Sequence, residues 1–303
     1  MAVQNTFYAG VGGASYEPNT YEDYANMIGK LAKSMIRNVE AKNPLAVFDK
    51  GRIDNGDTIE QVVIGLLESQ GYDSTGANAL TPKQMTNLVA RYWNDWQKKV
   101  YKATLRPEEI RKITPQNAVD EASDLARKIL ASLDQSAEYE HFVAFKELLT
   151  WGSTQAILVN RTPVAAVGGT TNYKGILKKL KDTIEGMKFV NDTFNTASFK
   201  RATNPEDIII VMPYDIKNAI DVDELAGVFN LDKAEIKNRI ILSDNTSEKK
   251  IYVLDKNCIL SFTRLYEIRE QLNAEGNFWN YFLHTERLMS ISPLFDGVVI
   301  PYE

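Results

Sequence analysis

Four short stretches of the chain carry residues whose type and spacing could support chemistry. The first is VGGTT, Val167 to Thr171, set where a strand should hand over to a helix. Glycines there can let backbone N–H groups cradle a phosphate. A phosphate loop of the P-loop kind needs G-x-x-x-x-G-K-[ST], and neither that spacing nor G-x-G-x-x-G is present. The plain alternative is a turn that needs positive φ. The second stretch is DVDE. It brings Asp221, Asp223 and Glu224 together, an oxygen-rich set that suits Mg²⁺ or Ca²⁺. Read as a first helical turn, the same acids face solvent and favour the helix N-terminus. No EF-hand spacing surrounds them.

The third set is His141, His284 and Cys258, the two histidines and the one cysteine of the chain. A zinc site needs three or four close ligands, and neither histidine has an i+4 partner that completes such a motif. A Cys258–His284 pair could act as nucleophile and base. Cys258, however, lies in the apolar run NCILSF, where a buried inert thiol is the ordinary outcome. The fourth set is basic: Arg161, Lys174, Lys178, Lys179 and Lys181. On a helix it reads as a solvated face, with a nucleic acid or an acidic neighbour as the sharper alternative. No acid–base pair, nucleophile or metal set stands out. The expectation is no catalytic, cofactor-binding or metal-binding residue.

The 303 residues are 44% hydrophobic and 25% charged, an ordinary globular composition long enough for one large or two medium domains. A net charge of −5 without a basic half argues against groove-type DNA binding by the free chain. One cysteine excludes an intrachain disulfide and suggests a reducing compartment. No apolar run approaches the roughly 20 residues of a membrane span. The first residues lack the basic-then-apolar order of a signal peptide, so a soluble cytoplasmic protein is expected.

Elements follow from periodicity and turn signals. Residues 1–19, rich in Gly, Ser, Asn and Pro, read as an extended arm, followed by a helix that opens at Thr20 and is ended by Asn43-Pro44. Ile59 to Leu67 fits either a strand or a short buried helix. Thr81-Pro82 opens a helix through Lys98, with Met85, Leu88, Val89, Tyr92 and Trp96 on one face. KKVYKATLR alternates and reads as a half-exposed strand. Thr114-Pro115 starts the longest helical stretch, which reaches Trp151 and stops at Gly152; a single bent helix is one reading of it. AILV and PVAAVGG read as short strands, and Asn172 to Val190 as an amphipathic helix on Ile176, Leu177, Leu180, Ile184 and Met187. DIIIVMP is a buried strand, YDIKNAIDVDELAGVF a helix, and NRIILSD and KKIYVLD further strands. The aromatic C-terminal segment holds a long strand, a turn at Ser292-Pro293 and a last strand, GVVIP. The pattern is α+β.

The second half resembles the major capsid proteins of tailed bacteriophages, of the Hong Kong 97-like fold. The resemblance rests on PEDIIIVMPYDIKNAIDVDELAGVFNLDKAEIKNRIILSD, on KKIYVLDKNCILSF with its Asp-Lys, and on LNAEGNFWNYFLHTERLMSISPLFDGVVI. The Trp-Asn-Tyr-Phe-Leu-His run and the Ser-Pro ending are similar to the closing strands of small podophage-type capsid proteins. It covers about residues 205–300.

The resemblance implies an N-terminal arm and helix over 1–50 and an extended loop over 51–113. It implies a peripheral domain with a spine helix over 114–174 and 272–303, and an axial α/β domain over 175–271. The helix expected after Thr81-Pro82 is a departure from that plan. Trp279, Tyr281, Phe282 and His284 are expected in or near the core, and residues 1–19 and 51–113 in contact with neighbouring copies. The function implied is self-association through pentamers and hexamers into a virion shell around double-stranded DNA, assembled in the bacterial cytoplasm. The partners implied are further copies of the chain, a separate scaffolding protein, a portal and non-specifically held DNA, with no membrane and no cofactor. Two rival readings are an encapsulin-like compartment shell and a cytoplasmic enzyme using VGGTT with the acids at 221–224.

Overall fold

The computed structural model describes residues 44–53, 56, 58–64, 88–106, 118–220, 240–273, 275–276 and 278–303. The expected arm, the helix from Thr20, the Thr81-Pro82 and Thr114-Pro115 starts and the DVDE acids lie outside the described residues. In chain order the elements are β1 (Asp49–Arg52), β2 (Ile59–Ile64), β3 (Leu88–Trp93), β4 (Gln97–Leu105), α1 (Ala118–Thr154), β5 (Val159–Asn160) and α2 (Tyr173–Met187). They continue with β6 (Ile208–Pro213), α3 (Tyr214–Ala219), β7 (Ile240–Ser243), β8 (Lys250–Asp255), β9 (Ile259–Asn273), β10 (Phe278–Ile291) and β11 (Gly297–Pro301). The sheets run β1-β9-β10-β4, β5-β11-β8-β6-β7 and β2-β3. The chain divides into two compact units, one built from residues 1–46, 96–143 and 263–287, the other from 47–95, 144–262 and 288–303.

In the first unit, α1 lies on the β4–β10 pair. The pairing is antiparallel, with Tyr281 opposite Ala103 and Leu283 opposite Tyr101. The period of two puts those residues on one face, where they meet Ile129, Leu133 and Ala137 of the helix with Tyr266 and Ile268 of β9. Tyr281 is buried as expected, and Leu283 with it; Phe282 and His284 are half-buried on the other face, and the Trp279 side chain lies outside what the structure describes. The helix is one element of 37 residues, about 55 Å at 1.5 Å per residue.

The second unit is a mixed sheet covered by α2. Ile208, Ile210 and Met212 of β6, Ile251 and Val253 of β8, and Val298 and Ile300 of β11 face Ile176, Leu180, Ile184 and Met187. β6 is buried along its whole length, which explains its continuous apolar run. Asn172 caps α2, its side chain accepting the Gly175 N–H at 2.9 Å.

Several expectations need correction. Leu88–Trp93 is a strand and not part of a helix: it pairs residue for residue with β2, from Ile59 opposite Trp93 to Ile64 opposite Leu88. Its β-branched and aromatic residues fit a pleated surface, and pairing overrides the helical spacing. The same pairing resolves Ile59–Ile64 as a strand. The long helix does not stop at Gly152 but runs to Thr154. Gly152 serves packing: a Cβ there would lie 2.3 Å from Ile291 Cδ1. AILV contributes only Val159 to β5, and PVAAVGG forms isolated bridges from Val164 to Tyr302 and from Val167 to Thr170. The α2 helix ends at Met187, short of Val190. The helix opening at Tyr214 ends at Ala219, where Ile220 turns to an extended backbone.

Candidate assembly surface and buried polar centre

The β2–β3 hairpin exposes apolar side chains on one face. Glu60, Val62 and Ile64 share that face with Tyr92, whose hydroxyl donates to Glu60 Oε1 at 3.0 Å. Val62 is 51% exposed, Ile64 55% and Tyr92 64%. The other face is covered, with Ile59 buried and Gln61 accepting the Ser292 hydroxyl at 2.6 Å. An exposed apolar stripe on a two-stranded ribbon is unusual for an isolated chain and suits burial against another surface. A second apolar spot follows α2, where Phe189 is 71% and Val190 57% exposed.

Beneath the surface of the second unit lies a polar centre. Asp255, at the end of β8, and Asp296, before β11, are both buried. Arg201 donates to Asp255 Oδ2 at 3.0 Å and to the Leu294 carbonyl at 3.2 Å, and its guanidinium lies 4.0 Å from the Phe295 ring centroid. Thr203 donates to Asp296 Oδ2 at 2.7 Å, and Asn195 donates to Asp296 Oδ1 at 3.0 Å. Burial raises the Asp255 carboxyl above its ordinary range, against the backbone hydrogen bond from Asn257 and the Arg201 charge. The centre is a polar network that ties the segment 195–203 to two strand ends, with the buried Arg201 Nε outside hydrogen-bond distance of Asp296 Oδ2 at 3.9 Å.

The first unit has a rim of the same kind around its apolar contact. Along α1, Asp134 accepts from the Tyr266 hydroxyl, Glu138 from Arg287 at 2.7 Å, and Glu140 from Lys99 at 2.8 Å and Tyr101 at 3.0 Å. Tyr101 is pushed up to about 12, by burial first and then by its bond to Glu140.

Among the described residues, the candidates weighed in the sequence do not assemble a reaction centre. Gly168 and Gly169 both have positive φ, and Val167 and Thr170 exchange backbone hydrogen bonds across them at 2.9 and 3.1 Å. That is the geometry of a type I′ hairpin turn, the plain reading of VGGTT. His141 sits on α1 with both ring nitrogens buried and without hydrogen-bond partners; burial, then Arg287 and Lys99, hold it down to about 3, so the ring is neutral. His284 lies 6.2 Å from the Phe282 ring, centroid to centroid. Cys258 is fully buried, its thiol directed at the Ser292 carbonyl at 3.7 Å, and burial pushes its pKa up. Such a thiol does not supply a thiolate. Arg161 stacks on Phe194 at 4.6 Å, apart in role from the lysines of α2, of which Lys174 and Lys178 are exposed. Among the described residues no three His, Cys, Asp or Glu could hold a metal ion, and no helix is long and apolar enough to cross a membrane.

Sequence reasoning missed Arg201, Asp255 and Asp296. Their only cue is an acid abutting an apolar strand in YVLD and FDGVV, a pattern equally common at solvated strand ends.

The fold matches those of phage capsids. The capsid structure of Staphylococcus phage Andhra is similar with a TM-score of 0.67, at 14% identity, over 84% of this chain and 83% of that one. A chain in the structure of the head fiber and inner core protein of native bacteriophage P68 is similar with a TM-score of 0.60, also at 14% identity, over 84% and 83%. The architecture is therefore the Hong Kong 97-like capsid fold in its α+β form. Residues 3–301 match the model of the Phi29-like phage major capsid proteins, and the chain belongs to that family. The major capsid protein of Bacillus phage GA-1 is 27% identical over 278 residues, 90% of this chain. The chain spans 58% of that relative's length. Family membership sets aside the enzyme reading.

Proposed function

We propose that the chain builds a phage head: it associates with copies of itself into pentamers and hexamers that close a shell around double-stranded DNA. The observation that carries this reading is the β2–β3 hairpin, with Val62, Ile64 and Tyr92 exposed on one face. Apolar area of this kind drives association when a second copy covers it. Repeated head-to-tail contacts close into rings, and rings tile a shell. On this reading residues 1–50 are the arm, 51–113 the extended loop, 114–174 and 272–303 the peripheral domain, and 175–271 the axial domain. The continuous 37-residue α1 supports the spine, and the antiparallel β2–β3 pair supports the loop. A separate scaffold and a portal act in the host cytoplasm, and DNA is held without sequence preference, as suits a chain of net charge −5.

The test is sedimentation velocity of the full chain, alone and co-expressed with a scaffold, with negative-stain images of the fastest fraction. Closed shells or rings of five and six are expected. A monomer peak that persists with the scaffold present overturns the proposal.

A further inference from the structure

Four lysines lie on α2, and association between copies gives none of them a role. Lys174, Lys178 and Lys181 stand four and three residues apart, so they follow one another along a single helix face over about 10 Å. Lys174 and Lys178 are exposed; Lys179 and Lys181 are half-buried. Of the two acids on the helix, Glu185 is neutralised by Lys188 at 2.6 Å. Asp182 is exposed, and among the described residues none of the four lysines has an acidic partner. The order of charge is the reverse of the one a helix favours. The first turn holds Lys174 and no acid, and the last turn before Lys188 holds Glu185 and no base. The helix dipole favours acids at the start and bases at the end, so this placement works against the helix and calls for another reason. α2 exposes no large aliphatic side chain, and the exposed Tyr173 at its start ends in a hydroxyl. The turn that leads into the helix is bare: Gly168 and Gly169 have nothing within 4 Å of a Cβ position.

We propose that this lysine face of α2 is a docking surface for double-stranded DNA, which it holds by the phosphate backbone without reading sequence. The proposal rests on the shell reading for the presence of that DNA. Charge and shape decide the class of partner. Protein–protein interfaces are depleted in lysine and centred on apolar and aromatic anchors, and this face offers a line of lysines without an aliphatic anchor. A phosphate backbone asks for the opposite: cations on flexible stems, a hydroxyl beside them and no pocket. Each strand of a duplex carries one charge per about 3.4 Å of its axis, so a ridge of about 10 Å spans several phosphates. The bare Gly168-Gly169 turn puts no side chain in the way of a duplex that approaches the start of the helix. The chain as a whole is net −5, although α2 carries four lysines against two acids. Most of the chain therefore repels a duplex, and the contact is confined to this ridge. A few exposed lysines hold DNA loosely, and salt weakens the hold.

Fluorescence anisotropy of the full chain with short labelled duplexes of two unrelated sequences, over about 50 to 200 mM salt, provides the test. The parent is expected to bind both sequences alike and to weaken steeply as salt rises. Lys174→Gln with Lys178→Gln and Lys181→Gln keeps good helix formers on the ridge. It is expected to flatten the salt dependence by about 0.9 per lysine, so that the parent loses about fortyfold more affinity than this variant across that range. Lys102→Gln with Lys200→Gln and Lys249→Gln removes the same charge from exposed positions elsewhere and is expected to keep the parent's salt dependence. No binding by the parent at the lowest salt overturns the proposal. So do equal salt dependences in the parent and the ridge variant, or equal losses in the two variants. Poly-glutamate that binds the ridge more tightly than the duplex does would mark an acidic protein as the partner and overturns it too. The two readings fail separately. A chain that binds duplex through the ridge but never forms shells under the electron microscope sinks the shell alone; shells whose chains ignore duplex sink the ridge alone.

Discussion

Arg201 donates to Asp255 Oδ2 at 3.0 Å, and it is the cation that faces both buried acids of the second unit, with Asp296 Oδ2 at 3.9 Å from its Nε. Replacing it by Met would leave two carboxylates in low dielectric without that counter-charge. Breaking a buried pair from one side costs about 3–5 kcal/mol. Arg201→Met should lower the unfolding free energy read from urea titration by that much, and Arg201→Met with Asp255→Asn should recover part of it. An unchanged midpoint in the single variant would mean the network is not structural.

The same network sets a pH dependence. Asp255 has its pKa raised by burial, so the folded chain holds its proton more tightly than the unfolded one. Its stabilising contribution is complete below the ordinary carboxylate range and is lost as pH rises through the folded value. Asp255→Asn should therefore look most destabilising in acid and approach the parent as pH rises above the ordinary carboxylate range. Urea unfolding at a series of pH values reads this directly; a gap that widens with pH contradicts it.

Leu283, buried between β10 and α1, tests the core of the first unit. Leu283→Ala removes buried methyl groups and leaves a cavity, at about 2–5 kcal/mol. Hydrogen exchange should show faster opening of the β4 and β10 amides, with β6 and β8 unchanged. Uniform loss of protection would mean the two units unfold together.

The hairpin stripe separates folding from association. Val62→Lys with Ile64→Lys should change the unfolding free energy read from urea titration by less than about 1 kcal/mol, because both side chains already face solvent. Shells counted by electron microscopy should nevertheless disappear. Normal shells from this variant would remove the hairpin from the assembly surface.

The core was legible where one residue pattern admits one structure. DIIIVMP could only be a strand buried on both faces, and Ile176, Leu180, Ile184 and Met187 could only be one face of a helix. Leu88–Trp93 was not legible, because Leu88, Val89 and Tyr92 fit a helical stripe as well as a strand, and only the partner Ile59–Ile64 decides. Gly152 carried a stop signal in sequence, yet its role comes from Ile291, 139 positions away by their numbers. The lysines of α2 were legible as one helix face, whereas Arg161, grouped with them in the sequence, stacks on Phe194 and stands apart from that face.

The turn at Gly168-Gly169 has a practical consequence. Both residues take left-handed conformations with nothing within 4 Å of a Cβ position, and Val167 and Thr170 close the turn behind them. A foreign peptide spliced between the two glycines would begin in open space and end a few ångströms from where it began. In a particle made of many such chains, every copy would carry the guest, so a short epitope could be presented as a dense, evenly spaced array.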